Sequence, residues 1–548
     1  MTNNDLANLI FPNITKTIDD YKKEYPSRNL KDDAKVTRFA PSPTGFVHLG
    51  GLYSALIDYM MAKNSNGIFM LRNEDTDQKR EIEGAADLII DTLKYYDITP
   101  NEYEIHDEIH GNYGPYIQSK RKDIYQTFMK HFIEIGAAYP CFCSKEELDN
   151  IREIQEKDKV RTGYYGKYAK CRNLTIDEAY KKIENGEEYI LRFKSNGNFE
   201  KKFKFKDVVK GEMELPENDL DIVIMKSDGL PTYHFAHLVD DYLMRTTHVV
   251  RGEEWLSSVP IHIELYKTLG VKHAKYVHTP LILKKEDGKL RKISKRKDPE
   301  ASMSYYKEHG YPKIAVIESL MTIINSNYEE WHNCNKDKTY LDFQYNPKKM
   351  STSGAIYDLE KLNNISKNII SVMTKEELYA SSYEWAKEYS KELKDLIERD
   401  KDYYMSLLNI ERGRKNPRKD IAKYDEIMDT IWYMYDDLFE NNKDYEYQKI
   451  TDKDEIKNIL NLYLDKYFDL SDKDTWFNNI KLLCDELGYA SNMKDYKENP
   501  NNYKGNITDV STVLRVALTS KANTPDLYEI MTVLGKDKIE RRYNNIWK

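Results

Sequence analysis

The chain has 548 residues, 84 Lys and Arg against 92 Asp and Glu, a formal net charge of −8, and 40% hydrophobic with 12% aromatic residues. That length exceeds one ordinary domain of ~100–200 residues, so three or four domains are expected, and the aromatic payload excludes a disordered chain despite a mean hydropathy of −0.76. No stretch approaches the ~18 apolar residues that span a bilayer, the opening MTNNDLANLI lacks the pattern of a secretion signal, and five cysteines are too few for a disulfide framework, so a soluble cytoplasmic protein with reduced thiols and no membrane partner is expected.

In chain order, residues 1–35 read as a polar, helix-prone extension. A strand opens at Lys35–Ala40 (KVTRFA) and ends in the turn PSPTG at 41–45. Leu49, Leu52, Ala55, Leu56, Tyr59 and Met60 then recur at helical spacing, which puts His48 where a loop enters an amphipathic helix that stops near 64–67. GIFMLRNEDTD supplies the next buried strand and a polar cluster, giving a βαβ unit whose ligands sit beyond the C-terminal strand ends. From 139 to 225 a charged helix and alternating pieces such as YILRFK and KKFKFKDVV read as an α+β insertion with antiparallel strands. DIVIMK, HVVRGEEW and IHIELYKTLG at 221–270 are assigned to the first sheet again, and helical patterns dominate after Pro299. The division is therefore 1–35 extension, 36–138 and 226–300 two halves of a nucleotide-binding domain, 139–225 insertion, 301–375 connecting region and 376–548 helical body.

Neither common Gly-rich phosphate motif is present. The first βα junction instead reads PSPTGFVHLGG, and two glycines, Gly50 and Gly51, at a helix start let an anion or flat ring approach backbone N–H groups beside His48. Alone, this reads as a turn histidine before a Gly-rich helix. KKEDGKLRKISKRKDPE at 284–300 holds eight basic residues with Lys292 and Lys295 three apart, read as a Gly-containing loop that can neutralise a polyphosphate; alone, such a charge run is usually a solvated basic loop. His106 and His110 lack a third ligand nearby and read as surface or core histidines, while Cys334 and Cys484 read as small core residues. ERGRKNPRKD at 411–420 suits either phosphate contacts or an interhelical loop.

Taken together, H-x-G-G at the first βα turn and K-x-S-K after the last sheet strand resemble the HIGH and KMSKS motifs of class I aminoacyl-tRNA synthetases. RFAPSPTGFVHLGG at 38–51, LRNEDTDQKR at 71–80, SDGLPTYHFAHLVDDYLM at 227–244, HVVRGEEW at 248–255 and KISKR at 292–296 are similar to the bacterial-type glutamyl-tRNA synthetase family, with YDLEKL at 357–362 and residues 510–536 extending the likeness. Pro-Ser-Pro-Thr-Gly, rather than the Pro-Glu-Pro-Asn-Gly of glutaminyl relatives, marks the glutamate branch. The resemblance implies an α/β fold, a Rossmann-like parallel sheet with an acceptor-stem-binding insertion, followed by an all-α anticodon-binding region.

It further implies a monomer that activates L-glutamate with ATP and Mg²⁺, with tRNA bound, and transfers it to tRNA-Glu, and in some members also to tRNA-Gln. His48, Lys292 and Lys295 would be catalytic. ATP would be held by Pro41, Ser42, Pro43, Thr44, Gly45, His48, Gly50, Gly51, Lys292, Ile293, Ser294, Lys295 and Arg296. Glutamate would meet Arg38, Ala40, Ser42, Glu74, Tyr233, His237 and Arg251; His237 stands where many relatives have Asn or an aliphatic residue, and its titration would make binding pH-dependent. Cys141, Cys143 and Cys171 match a zinc site, but Asn173 stands where zinc-binding relatives place a His, so Tyr165, Tyr168 or water completes a Zn²⁺ site, or the thiols are free. A tRNA-modifying paralogue is disfavoured by the long helical region after ~375, and a retired, non-catalytic one by the presence of His48, Lys292 and Lys295.

Overall fold

The computed structural model describes residues 1–43, 47–77, 82, 84–294, 296–352 and 354–546, in two compact units: residues 1–305 with 317–358, and residues 306–316 with 359–548. Thr44, Gly45 and Lys295, three of the expected site residues, lie outside the described residues.

The first unit opens with helices α1 (Asn3–Ile10) and α2 (Ile18–Glu24), each started by a Thr capping box. They are no loose extension, because Leu6, Ala7, Tyr21 and Tyr25 share one core with Phe128 and Phe132 of the later helix Lys122–Glu134. Strand β1 (Val36–Phe39) is buried at every position, as a strand covered on both faces should be, and pairs in parallel with β2 (Ile68–Leu71) through the connecting helix α3 (Leu49–Lys63). Leu49, Leu52, Ala55, Leu56, Ile57, Met60 and Met61 bury α3 almost all round, marking it as an interior helix. Helix α4 (Ala85–Tyr95) and hairpin β3 (Tyr103–Ile105) and β4 (Glu108–His110) follow, then α5 (Lys122–Glu134).

The insertion pairs β5 (Ala138–Cys141) with β6 (Ile190–Phe193), carries α6 (Lys145–Lys157) and α7 (Ile176–Glu184), and adds the hairpin β7 (Lys202–Asp207) and β8 (Gly211–Pro216). One expectation is corrected here. Strand β9 (Val223–Met225), from DIVIMK, pairs antiparallel with β6 and so belongs to the insertion's sheet. The parallel pattern resumes after α8 (Tyr233–Leu243) with β10 (His248–Gly252), α9 (Val259–Thr268) and β11 (Lys275–Thr279), where Arg251 stands opposite His278. A backbone hydrogen bond from Thr247 to Val36 (2.9 Å) sets β10 beside β1.

The basic segment is a hairpin for most of its length, not a loop. Strand β12 (Ile282–Glu286) turns at Asp287–Gly288 into β13 (Lys289–Lys292), and both turn residues have positive φ, 49° and 77°, the type I′ geometry that Asp-Gly favours. Strand β14 (Ala355–Ile356) pairs with β12.

The second unit has no strand among its described residues; helices such as Lys375–Tyr389, Ile507–Thr519 and Leu527–Leu534 enclose a core that includes Leu378, Tyr404, Ile480, Leu514 and Met531. Cys484 belongs to that core, whereas Cys334, expected in a core, is exposed. Among the described residues no helix is long and apolar enough to cross a membrane.

Candidate active site

The end of β1 and the start of α3 form the floor of a cavity of about 680 Å³. His48 is the N-cap of α3, and its Nδ1 accepts the Gly51 N–H at 3.1 Å, which leaves the ring proton on Nε2. A Cβ on Gly50 would come within 3.1 Å of the His48 ring, so glycine there keeps the ring in its capping position. Pro41, Ser42, Gly50 and Gly51 line this cavity on one side and Lys292, Ile293 and Ser294 on another.

Asp298 fixes the approach of that second wall. Its carboxylate accepts both Arg291 Nη atoms at 2.7 Å, Lys284 Nζ at 3.3 Å and the Ser294 N–H at 2.8 Å. The bidentate Arg291 pairing holds Asp298 well below the usual carboxylate range. Lys284 also pairs with Glu300 and Arg291 with Glu286, so two of the eight basic side chains are neutralised within the hairpin and its flank.

A second cavity, about 640 Å³, shares Ser42 with the first and is lined by Arg38, Ala40, Glu74, Tyr233 and Arg251. Beneath it lies a charge network that the sequence reading did not single out. Arg38 Nε donates to Asp241 at 3.0 Å; Arg72 donates to Asp241 at 2.7 Å and to Glu74 at 2.9 Å; Arg121 donates to Asp240 at 2.7 Å. Three arginines thus face three carboxylates with none of the six more than 8% exposed, and burial pushes Glu74 upward against the pull of Arg72. The signal was the pair of adjacent acids in the otherwise apolar run HFAHLVDDYL, since buried acids require buried bases. Trp255, 4.5 Å from the Tyr233 ring, and Lys226 also line the cavity and were missed.

His237 is a correction: it does not line the cavity. It is fully buried behind it, with Nε2 2.9 Å from the Tyr276 hydroxyl and Nδ1 2.8 Å from Asp241, and burial lowers it to about 4, so it is neutral near pH 7. Arg251 Nε donates to His278 Nε2 at 3.0 Å and Nη1 to His262 Nδ1 at 3.0 Å and the Tyr233 hydroxyl at 3.3 Å.

In the insertion, Cys141, Cys143 and Cys171 place their sulfurs within 4.8 Å of one another. The nearby hydroxyl belongs to Tyr164, 3.5 Å from the Cys141 sulfur and 3.2 Å from that of Cys143. Hydrogen bonding with Cys171 lowers Cys141 and raises Cys171. His106 and His110 lie on the β3–β4 hairpin, paired with Asp87 and stacked on Tyr103 respectively, as surface histidines. In the segment 411–420, Arg412 donates to the Leu408, Ile370 and Met373 carbonyls, Arg414 pairs with Glu529 and Arg418 reaches the Thr524 carbonyl, so its arginines hold an interhelical junction together.

A parallel sheet that presents two adjoining cavities at the first βα turn, one walled by a basic hairpin and the other by arginines, is the architecture of a class I synthetase. The sequence agrees: residues 35–364 match the family model of the class I tRNA synthetases (E and Q), catalytic domain, and residues 381–546 match an anticodon-binding domain, so the chain belongs to this family. It is 48% identical to a glutamate–tRNA ligase of Acetivibrio thermocellus over 542 residues, 99% of each chain. It is 50% identical to one of Clostridium perfringens strain 13 over 545 residues, 99% of this chain and 100% of that one. A solved glutamate tRNA ligase from Elizabethkingia meningosepticum, in complex with its amino acid, superposes with a TM-score of 0.74 at 26% identity, covering 94% of this chain and 99% of that one.

Proposed function

We propose that the chain is a glutamate–tRNA ligase: it joins L-glutamate to ATP as glutamyl-adenylate, releasing pyrophosphate, and passes the glutamyl group to the 3′ end of tRNA-Glu, releasing AMP. The observation that carries this reading is the meeting of the two cavities at Ser42. ATP fills the first cavity, with His48, Gly50 and Gly51 against its adenosine and phosphates. Glutamate fills the second, its carboxylates near Arg38 and Arg251 and its amino group toward Glu74. The α-carboxylate is already a nucleophile and needs no general base to attack the α-phosphorus. Lys292 and Lys295 offset the charge that grows as pyrophosphate leaves, and Mg²⁺ accompanying the ATP would add to that charge stabilisation.

Aminoacylation of purified tRNA-Glu and tRNA-Gln with labelled glutamate is the test: charging of tRNA-Glu is expected, charging of tRNA-Gln would extend the substrate range, and charging of neither would overturn the reading. ATP/pyrophosphate exchange run with and without tRNA tests whether activation itself requires tRNA, as expected. Within the insertion, Cys141, Cys143 and Cys171 offer three sulfurs close enough together to hold Zn²⁺, with water as the fourth ligand. The metal would have a structural role there, and one equivalent of zinc by atomic emission, lost in Cys143→Ser, is the expected result.

A further inference from the structure

Arg38 and Arg251 line the same cavity in different electrostatic states. Arg38 donates to the Asp241 carboxylate and is already paired. Among the described residues Arg251 has no carboxylate partner: its three acceptors are two imidazole nitrogens and a phenol oxygen, and Nη2 is buried with no hydrogen-bond partner. A guanidinium only donates, so both facing imidazole nitrogens must be bare.

On one side the bare nitrogen is enforced by Asp207 at the end of β7. Its Oδ2 lies 2.7 Å from His278 Nδ1 and accepts the His278 backbone N–H at 3.2 Å, while Oδ1 accepts the Val209 and Lys210 N–H groups at 2.9 and 2.8 Å. A carboxylate held by three backbone donors cannot donate in return, so the His278 proton resides on Nδ1 and Nε2 faces Arg251. On the other side His262 Nε2 sits 3.0 Å from His234 Nδ1, the only direction left for the His262 proton. Burial lowers His278, takes His262 well below its ordinary value and brings His234 to about 4, so near pH 7 none of the three adds a charge beside the guanidinium.

We propose that His278 and Asp207 are positioning residues of the glutamate site: Asp207 fixes the His278 tautomer, and His278 holds Arg251 by Nε without neutralising it, so that the guanidinium keeps a full positive charge for the substrate's side-chain carboxylate. This rests on the reading that the cavity takes glutamate. Glutamate and glutamine have nearly the same shape and differ there in charge, so an arginine without a counter-carboxylate discriminates between them where a paired one would not.

The experiment is steady-state aminoacylation with His278→Leu, His278→Gln, Asp207→Asn and the double variant, with KM measured for glutamate and ATP separately and Tm recorded for each. His278→Leu should raise KM for glutamate on the order of tenfold, leave KM for ATP unchanged and narrow the preference for glutamate over glutamine. His278→Gln, whose amide oxygen can accept from Arg251 Nε, should recover most of that loss. Asp207→Asn alone should raise KM for glutamate by disturbing the tautomer, yet add little in the His278→Gln background, where no tautomer needs control. An unchanged glutamate KM in His278→Leu, equal increases for both substrates, or fully multiplicative effects in the double variant would overturn the proposal. Should His278→Leu not fold, the His278→Gln and Asp207→Asn cycle decides alone. Failure of the wild-type chain to charge glutamate would instead overturn the reading of the cavity.

Discussion

At the scale of single residues, His48 does two separable things. Its Nδ1 caps α3, and its ring lines the first cavity, the one proposed for ATP. His48→Ala removes both and should cost about 1 kcal/mol of stability along with activity. Asn is a strong N-cap but cannot put a donor where Nε2 stands, so His48→Asn should keep the wild-type Tm while the charging rate falls at least as far as in His48→Ala. A calorimetric scan beside an aminoacylation assay reads the two effects apart; recovery of activity by Asn would reduce His48 to a cap. The same scale shows which side chains could be read from the sequence. Arg38, Glu74, Tyr233 and Arg251 sit within matched segments, and all four line one cavity. Arg72, Asp240 and Asp241 were passed over because their meaning lies in each other: Arg72 and Asp241 are 169 positions apart along the chain and 2.7 Å apart in space. His237 was misread for the same reason, since its partner Tyr276 stands on a strand 39 positions away.

At the scale of elements, charge counted along the sequence overstated what a partner can meet. Residues 284–297 hold eight bases, but Asp298 and Glu300, just outside that window, take Lys284 and Arg291. The periodicity could not separate a hairpin from a loop there, because β12 and β13 are mostly solvated and carry no buried alternation. Since Asp298 orders Ser294 and the end of β13, Asp298→Ala should lower the aminoacylation rate tenfold or more, with KM for glutamate unchanged. Arg412 presents the reverse case. Its three carbonyl acceptors join Leu359–Val372 and the turn after it to Lys401–Leu408, and Arg412→Ala strands those carbonyls in a half-buried junction. A loss of about 2 kcal/mol by urea denaturation is expected. Lys415→Ala and Lys419→Ala, at exposed positions of the same segment, should leave stability within about 0.5 kcal/mol, so any weakening of tRNA binding they cause is direct.

At the scale of the whole molecule, the twelve histidines are divided unevenly: the second unit holds only His309. In the first unit, burial lowers His234, His237 and His248 from an ordinary 6.5 to about 4 and takes His262 lower still. A histidine depressed in the folded state is protonated first in the unfolded chain, so below pH 6.5 the unfolded form binds more protons and stability falls with pH. The stabilisation is complete above 6.5 and is lost progressively as pH drops toward 4. Three such histidines give a slope of about 4 kcal/mol per pH unit in that window, steep against a total of ~5–15 kcal/mol for a typical domain. Calorimetry between pH 7.5 and 4.5 should therefore show one transition moving sharply downward while the transition of the helical unit moves far less. His237→Asn should flatten the mobile transition by about one proton's slope, near 1.4 kcal/mol per pH unit. Two transitions falling in parallel would mean that the acid response is not carried by the buried histidines of the first unit.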